Sequence, residues 1–327
     1  MSTSIVITRR LPNSLLSKIL TRPSTVIQYH DSNDAISSQK LLELCAKDGG
    51  ASAILCTLTD TINKSVIDAC NGKLKVISTM SVGYSHIDTK LLKDNNIQLG
   101  NTPGVLTNAT ADLVMALVLA TARRITEAAS AAKNGEWKDW KPFWMCGKEL
   151  FKSKVGIIGL GRIGEAIVKR LRGFDCEVIY TGRSGPKPTL DSSLNTRWVT
   201  SDELYSTSDF IIVICALTPE TKDLINYQAF SKMKENVTFI NASRGEVVDQ
   251  EALVRILHER PEMRAGLDVT SPEPLPLAHP LLHTNQCIVL PHIGSATDSC
   301  RTNMALLTID NALAVLDETT MPSEVKL

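Results

Sequence analysis

The stretch VGIIGLGRIGEAIVKRL, residues 155–171, constrains the fold more than any other part of this chain. Gly159, Gly161 and Gly164 have the spacing GxGxxG between a β-branched run and a helical pattern. In this context the first glycine permits a tight turn, the second lets the backbone approach a pyrophosphate, and the third lets the helix pack on the strand. The stretch predicts a dinucleotide-binding βα unit, with a plain βα turn as the alternative.

Short β-branched runs alternate with helical periodicity along the rest of the chain. Five runs precede the glycine motif, SIVIT, STVIQY, ASAILCT, KVISTM and IQLGN, and a second series contains KVGIIG, EVIYT, DFIIVICAL, VTFINA, AGLDV and CIVLP. Parallel sheets with crossover helices produce this alternation. We therefore predict an α/β protein with two doubly wound parallel-sheet domains.

Two long helices are predicted outside the simple alternation, at about 109–123 between the two series and at roughly 298–316 after the last strand. Because the second helix comes too late for the order of the second sheet, we expect the chain to return there to its first domain. The predicted domains are residues 1–105 with 298–327, and residues 106–297 for dinucleotide binding.

Charge and cysteine content narrow the possible partners. The 35 basic and 35 acidic residues balance, which gives no electrostatic reason to expect nucleic acid or an anionic membrane, so a small-molecule ligand is favoured. The eight cysteines form no CxxC pair, which is typical of reduced thiols in the cytoplasm and predicts no metal site. Mitochondrial import is the alternative location, because Arg9, Arg10, Lys18 and Arg22 precede the first acidic residue, Asp31, as basic residues do in transit peptides.

The stretch EVIYTGRS bears on the choice of cofactor. In dinucleotide-binding units the second strand ends near the adenosine ribose, where an acidic residue binds the ribose hydroxyls and an Arg accommodates a 2′-phosphate. Asp175 and Glu177 stand at the opposite end of this strand, whereas Arg183, Ser184 and Lys187 follow it. The loop predicts a preference for NADPH, with weaker NADH binding, unless Arg183 is only a solvated loop charge.

Three ionisable residues follow later strands of the same predicted sheet. Arg244 comes after VTFINA, Glu273 after AGLDV and His292 after CIVLP. Ligands of open α/β sheets bind at these carboxyl ends. Arg grips a carboxylate bidentately, His titrates near neutral pH and suits proton donation, and a neighbouring Glu stabilises imidazolium. The three residues fit hydride chemistry on a 2-oxo acid, although singly each could be an ordinary structural polar group.

Taken together, GLGRIG, NASRGEVVD, GLDVTSPEP and LPHIGSAT resemble the D-isomer-specific 2-hydroxyacid dehydrogenase family over nearly the whole chain. KVISTMSVGYSHID, KNGEWKDWKPFWMCG, LTPET and MPSEVKL resemble the members that act on glyoxylate and hydroxypyruvate. The resemblance implies two Rossmann-like domains with the active site in the cleft between them, the first being the substrate domain. It also implies NADPH-dependent reduction to glycolate and D-glycerate, with His292 as the proton donor.

The glycine motif, the loop after EVIYT and the resemblance together assign roles to individual residues. The catalytic residues are Arg244, Glu273 and His292, and the further substrate-binding residues are Val82, Gly83, Ser295 and Trp140. The cofactor-binding residues are Gly159, Gly161, Arg162, Ile163, Gly164, Arg183, Ser184, Lys187, Ala216, Ala242, Asp268 and Gly294. Within these sets, Val82 and Gly83 offer backbone amides to the substrate carboxylate, and Asp268 faces the nicotinamide.

Trp137, Trp140 and Trp144 crowd one segment although the chain has only four tryptophans. Aromatic residues are favoured at protein interfaces, and in the resembling family this segment crosses a two-fold dimer. We expect a homodimer in which Trp140 approaches the partner's substrate cleft; the alternative is packing within one subunit.

Two other functions fit the same residues. A phosphoglycerate dehydrogenase shares the catalytic trio, although its relatives usually carry an acid after the second strand. A nucleotide-sensing scaffold, as in the corepressor members of this superfamily, would use the same fold to bind partner peptides.

Overall fold

A computed structural model describes residues 3–327, which divide into two compact units. Unit 1 contains the chain up to Leu106 together with Ala296–Leu327, and unit 2 contains Thr107–Ser295. Each unit has its own β-sheet with helices around it. The predicted α/β class with two largely parallel sheets is confirmed.

The regular elements follow one another along the described residues. The strands are β1 Thr3–Ile7, β2 Thr25–Tyr29, β3 Ala53–Cys56, β4 Val76–Thr79, β5 Gln98–Gly100, β6 Lys154–Ile158, β7 Glu177–Thr181, β8 Thr196–Trp198, β9 Phe210–Val213, β10 Thr238–Asn241, β11 Arg264–Leu267, β12 Cys287–Val289 and β13 Glu324–Val325. The α-helices are α1 Asn13–Leu20, α2 Ser38–Ala46, α3 Lys64–Ala69, α4 Thr89–Asp94, α5 Thr107–Ala122, α6 Ile125–Lys133, α7 Arg162–Leu171, α8 Pro188–Leu194, α9 Ser201–Thr207, α10 Tyr227–Ser231, α11 Gln250–Glu259 and α12 Asp298–Leu316.

The sheet of unit 1 has the strand order β13-β5-β4-β3-β1-β2. Strands β1 to β5 are parallel, and every residue of β3 and of β4 is buried, as expected where helices cover both faces of a sheet. The side chains of Ser37, Asn63 and Asp88 accept N–H groups in the first turns of α2, α3 and α4. These caps fix where each crossover helix begins.

The last part of the chain folds onto unit 1. Ile309 and Ala312 of α12 lie in the same hydrophobic cluster as residues of β1. Asn311 is fully buried and donates to the carbonyl oxygen of Asn101 at 3.0 Å, while its own oxygen accepts the N–H of Ser323 at 2.9 Å. These contacts lead into β13, which pairs antiparallel with β5 and was not predicted because it has only two residues.

The sheet of unit 2 has the order β12-β11-β10-β9-β6-β7-β8 and is parallel throughout. The chain starts at β6, builds outward through β7 and β8, and then returns to the other side of β6 with β9. Such a reversal of strand order leaves a crevice beyond the carboxyl ends of the strands, where open α/β sheets bind ligands. The glycine turn follows β6 directly and so lies at this reversal.

Helix α5 is apolar on most of its circumference. Ala111, Val114 and Val118 are fully buried, and the helix packs against α7, β10 and β11. The face next to β11 meets the backbone at Gly266, where an added Cβ would lie 2.5 Å from Oγ1 of Thr121. Among residues 3–327, no helix combines the length and the apolar character needed to cross a membrane.

Candidate active site

The turn between β6 and α7 has the form that a pyrophosphate requires. Gly159 has φ +104°, and an added Cβ there would lie 2.8 Å from backbone atoms of Cys215. A Cβ on Gly164 would lie 2.5 Å from the carbonyl oxygen of Gly159, so helix and turn touch at this point. Gly161, at the N-cap of α7, instead has open space where its Cβ would be, and no side chain caps the helix. The first N–H groups of α7 thus remain available to an anion.

The loop after β7 carries the predicted phosphate-binding residues. Arg183 is 81% exposed at its side chain, and its nearest carboxylate is that of Glu220 at 4.0 Å. Ser184 is also exposed. The ammonium group of Lys187 donates to the carbonyl oxygen of Leu160 in the glycine turn. A basic side chain therefore connects this loop to the turn, and Arg183 is left largely unpaired.

Glu273 and His292 form a hydrogen-bonded pair in unit 2. The Nδ1 atom of His292 lies 2.8 Å from Oε2 of Glu273, and the backbone N–H of Thr270 donates to Oε1 at 3.1 Å. The side chain of Glu273 is 31% exposed and that of His292 is 22% exposed. Both oxygens of the carboxylate are used, and only Nε2 of the imidazole remains to face a ligand.

The electrostatics around Glu273 favour its charged form. Burial raises the pKa of Glu273, but the hydrogen bond and charge of His292, the N–H of Thr270 and the charge of Arg244 outweigh burial, and the pKa lies below its usual value. Glu273 is therefore charged beside the imidazole of His292, and its hydrogen bond to Nδ1 fixes the orientation of that ring.

Arg244 lies between β10 and a short helical turn at Gly245–Val247. Its guanidinium donates to the carbonyl oxygen of Ser243 at 2.7 Å, and its own carbonyl accepts from the side chain of Asn241 at 3.0 Å. Burial lowers the pKa of Arg244, although the charges of Glu273 and Glu246 act to raise it. A partly buried cation with so few protein partners is suited to a carboxylate ligand.

Asp268 holds the backbone turn that carries His292. Its oxygens accept the N–H groups of Ile293 and Gly294 at 2.8 and 2.9 Å, and its carbonyl oxygen accepts the N–H of His292 at 2.9 Å. Burial raises the pKa of Asp268, against the lowering by these N–H groups and by His292. His292 has φ 55°, a left-handed conformation that is strained for residues other than glycine, and these bonds stabilise it.

The predicted residues of unit 1 lie in a turn after β4. The carbonyl oxygens of Val82 and Gly83 accept hydrogen bonds from Asn101 and Ser81 at 2.9 and 2.7 Å. Within residues 3–327, the N–H groups of Val82 and Gly83 donate to no protein acceptor. The turn is thus fixed through its carbonyl groups and has two free donors.

The aromatic segment after α6 is exposed in the single chain. Trp140 is 81% exposed, Trp137 65% and Phe143 88%, while Lys141 lies 5.7 Å from the ring centre of Trp144. Packing within one chain therefore does not bury Trp140.

The other predicted residues lie in unit 2 at the ends of its strands or at the start of α7. Ala216 is exposed after β9, Ala242 is buried after β10, and Ser295 is half-buried after β12. Arg162 and Ile163 open α7. No group of three or more potential metal ligands occurs among the described residues.

Sequence reasoning missed two contacts that hold the Glu273 segment. The side chain of Gln250 bonds to both backbone polar groups of Ser271. A Cβ on Gly245 would lie 2.0 Å from the carbonyl oxygen of Thr270, so the segments that carry Arg244 and Glu273 touch through their backbones. The glycine after Arg244 in SRGE was the one available signal for the second contact.

Comparison with known proteins shows which family this chain is similar to. Residues 115–294 match the family model described as D-isomer specific 2-hydroxyacid dehydrogenase, NAD binding domain. A human protein named glyoxylate reductase/hydroxypyruvate reductase is 46% identical over 324 residues, which cover 99% of this chain and 98% of the human one.

Solved structures agree over the whole length. A Thermus thermophilus protein superposes with a TM-score of 0.90 at 37% identity, covering 99% of this chain and all of the other. An NADPH-dependent glyoxylate/hydroxypyruvate reductase from Sinorhizobium meliloti, solved with NADP and malonate, gives a TM-score of 0.82 at 27% identity, covering 99% of this chain and 97% of the other. These matches confirm the resemblance found in the sequence and support a nicotinamide cofactor.

Proposed function

The chain belongs to the D-isomer-specific 2-hydroxyacid dehydrogenase family, and we propose that it reduces glyoxylate and hydroxypyruvate to glycolate and D-glycerate with NADPH. The observation that carries this proposal is the Glu273–His292 pair, 2.8 Å apart and close enough to Arg244 to interact with its charge. These three groups lie in the unit that also holds the glycine turn. The names of the human and Sinorhizobium relatives supply the substrates.

His292 acts as the proton donor. Because Nδ1 is engaged by Glu273, Nε2 is the nitrogen that gives its proton to the carbonyl oxygen of the substrate. When bound, the nicotinamide supplies the hydride. In the oxidation direction the neutral ring takes the proton back, and the Glu273 carboxylate keeps the ring in the orientation and tautomer that both directions require.

Arg244, in unit 2, binds the substrate carboxylate through its planar pair of charged donors. In unit 1, the turn at Val82 and Gly83 offers two backbone N–H groups as neutral donors to a carboxylate. Ser295, three residues after His292, contacts the substrate beside the reacting carbon. This division leaves the carbonyl oxygen for His292.

Gly159, Gly161, Arg162, Ile163 and Gly164 bind the pyrophosphate of the cofactor. Asp268 faces the nicotinamide, and Ala216, Ala242 and Gly294 line the path of the cofactor. Arg183, Ser184 and Lys187 surround the 2′-phosphate of NADPH. Support for the last group is the exposure of Arg183 and the position of Lys187 on the glycine turn. NADH lacks the 2′-phosphate and binds more weakly.

A homodimer completes the site. Trp140, Trp137 and Phe143 are exposed in the single chain, and large exposed aromatic side chains in one segment favour an interface. We expect Trp140 to contact the partner's substrate. Light scattering at micromolar concentration should give twice the chain mass; a fully active monomer would contradict this arrangement.

We place the protein in the cytoplasm. Three of the four basic residues that raised mitochondrial import as an alternative form ion pairs in unit 1: Arg10, Lys18 and Arg22 pair with Asp31, Asp310 and Asp317. Fractionation of cells that express the tagged protein, with the tag at the C-terminus, tests this location.

The deciding assay follows NADPH oxidation on addition of glyoxylate or hydroxypyruvate, with NADH in parallel. We expect rapid turnover and a higher kcat/KM with NADPH. Preferential oxidation of 3-phosphoglycerate would instead favour a phosphoglycerate dehydrogenase. Nucleotide-dependent association with another protein, without turnover, would favour the scaffold.

A further inference from the structure

The side chain of Gln250 holds a backbone segment that includes Glu273. Gln250 is the first residue of α11, and its Oε1 accepts the N–H of Ser271 at 2.8 Å. Its Nε2 donates to the carbonyl oxygen of the same residue. One side-chain amide therefore satisfies both backbone polar groups of a residue 21 positions away.

Few backbone hydrogen bonds connect the segment after β11 to other elements. Pro272 and Pro274 have no N–H group, so they cannot donate to a neighbouring strand. Within the described residues, the backbone of Ser271 has no partner other than Gln250. Removal of the amide would leave two backbone groups unsatisfied, and the segment would have to move toward water.

Ser271 lies inside the same turn that positions Glu273. The N–H of Thr270 donates to Oε1 of Glu273 at 3.1 Å, and Oγ1 of Thr270 donates to the carbonyl oxygen of Pro272 at 2.9 Å. Oε2 of Glu273 then reaches Nδ1 of His292. Movement at Ser271 would change the distance between the carboxylate and the imidazole.

We propose that Gln250 is a positioning residue that keeps Glu273 hydrogen-bonded to His292 by holding the backbone of Ser271. This role rests on the proposed reductase function, in which His292 donates the proton. The charged groups that act on the pair are Arg244 and Asp268. Gln250 carries no charge, so its effect reaches His292 through geometry alone.

The first test compares Gln250→Ala with Gln286→Ala. Gln286 stands just before β12, at the opposite end of that strand from His292, and donates to the carbonyl oxygens of Leu257, Arg260 and Met263 at 2.9, 3.0 and 3.1 Å. Both substitutions remove side-chain to backbone hydrogen bonds from unit 2. Only the first should affect the proton donor, so the pair separates positioning from general stability.

The readout is the pH profile of kcat/KM for glyoxylate reduction. In Gln250→Ala the fall in rate at alkaline pH should begin at lower pH, with kcat/KM above neutral pH reduced roughly two- to tenfold, as expected for lost neutral hydrogen bonds. NADPH affinity should stay within about twofold, because the pyrophosphate turn is untouched. Gln286→Ala should keep the wild-type profile.

A double-variant cycle identifies the route. If Gln250 acts through Glu273, Gln250→Ala should shift the profile of wild type but not that of Glu273→Gln. Gln250→Met is the second variant in case the alanine variant does not fold; it keeps the length of the side chain, removes both hydrogen bonds and adds no charge, so it should shift the profile in the same direction. An unshifted profile in the folded variant, or equal shifts with and without Glu273, would overturn the proposal.

A spectroscopic measurement separates this inference from the proposed function. The proton between Nδ1 of His292 and Glu273 should give a downfield NMR resonance in wild type and in Gln286→Ala, and that resonance should broaden or vanish in Gln250→Ala. A wild-type protein with the resonance but without turnover would reject the reductase function and leave the positioning role standing. A resonance unchanged in Gln250→Ala would reject the positioning role.

Discussion

Two regions of unit 2 are held in different ways. Around Glu273 and His292, both carboxylate oxygens and Nδ1 are hydrogen-bonded, and Asp268 uses both of its oxygens on the adjoining turn. In the loop after β7, Arg183 is 81% exposed and Glu220, its nearest carboxylate, is 4.0 Å away. The first region is organised before any ligand binds, whereas the second has side chains free to rearrange around one.

The difference indicates a division of labour. The rate of proton transfer is sensitive to changes of a few tenths of an ångström in the donor–acceptor distance. It is therefore faster from a donor that its neighbours already hold in place when the substrate binds. Selection between two cofactors that differ by one phosphate needs only a few well-placed cations. Substitutions in the first region should therefore change the rate, and substitutions in the loop should change which cofactor binds.

The largest expected effect is that of His292→Asn. A general acid contributes about 10²–10⁴-fold to rate, so kcat for hydroxypyruvate reduction should fall by that order at every pH. NADPH affinity, measured by fluorescence titration, should change little, since His292 is not among the residues proposed to bind the cofactor. If NADPH affinity fell strongly together with kcat, the proposed separation between rate-determining and cofactor-selecting residues would be wrong.

Arg183→Ala should give the next largest effect, and this variant tests the loop after β7 instead of the Glu273–His292 region. Loss of a charge-assisted hydrogen bond to the 2′-phosphate should weaken NADPH binding roughly ten- to hundredfold. NADH affinity and kcat at saturating NADPH should stay near the wild-type values. Equal losses for the two cofactors would reject Arg183 as the phosphate ligand.

Glu273→Gln tests the charge within the organised region. The carboxylate stabilises the protonated imidazole, and reduction requires that form, so without the charge the rate of reduction should begin to fall at lower pH. Oxidation of D-glycerate requires the neutral ring, and its rising limb should move to lower pH as well. An alkaline limb of kcat/KM that stays in place or moves upward would show that Glu273 does not act on His292 in this way.

The same variant changes stability with a defined sign. Because the pKa of Glu273 is lowered in the folded protein, its contribution is present above the unfolded pKa and is lost as pH falls through the folded pKa. The difference in Tm between wild type and Glu273→Gln should therefore shrink in acid. A difference that grows in acid would contradict the lowered pKa.

Most strands of both sheets could be predicted because their signals are local. VGIIGLGRIG places strand, turn and helix within ten residues, and runs such as AILC and FIIV are buried along their whole length. β8 was missed because Thr196–Trp198 is a short, half-buried edge strand. β13 was missed because its two residues form a strand only by pairing with β5, which is far away in the sequence.

The candidate site also contains residues that local sequence signals predict and contacts that they do not. Arg244, Glu273 and His292 could be named because each follows a recognisable strand, and strand ends meet at one edge of a parallel sheet. The bond from Gln250 to Ser271 could not, because a glutamine at the start of a helix is common and its partner is distant in sequence. Tertiary contacts of this kind leave no periodic signal.

Glu220→Gln should give the smallest effect, with a sign opposite to that of Arg183→Ala. Hydrogen bonding with Thr218 lowers the pKa of Glu220, followed by its own backbone N–H and the charge of Arg183, so the carboxylate is charged at neutral pH. In the proposed binding mode, this carboxylate competes with the 2′-phosphate for Arg183 and repels that phosphate. Its removal should strengthen NADPH binding, but by no more than about fivefold, because exposed charge pairs are weak.

Ionic strength provides the control for Glu220→Gln. Exposed charges are screened by salt, so the gain in NADPH affinity should decrease on going from low to high ionic strength, while kcat stays unchanged. Titration of NADH gives the matched comparison, because that cofactor carries no 2′-phosphate for Glu220 to repel. A gain of equal size for NADH would mean that the substitution alters the loop as a whole, and the loop would then select its cofactor by shape instead of by the charges of Arg183 and Glu220.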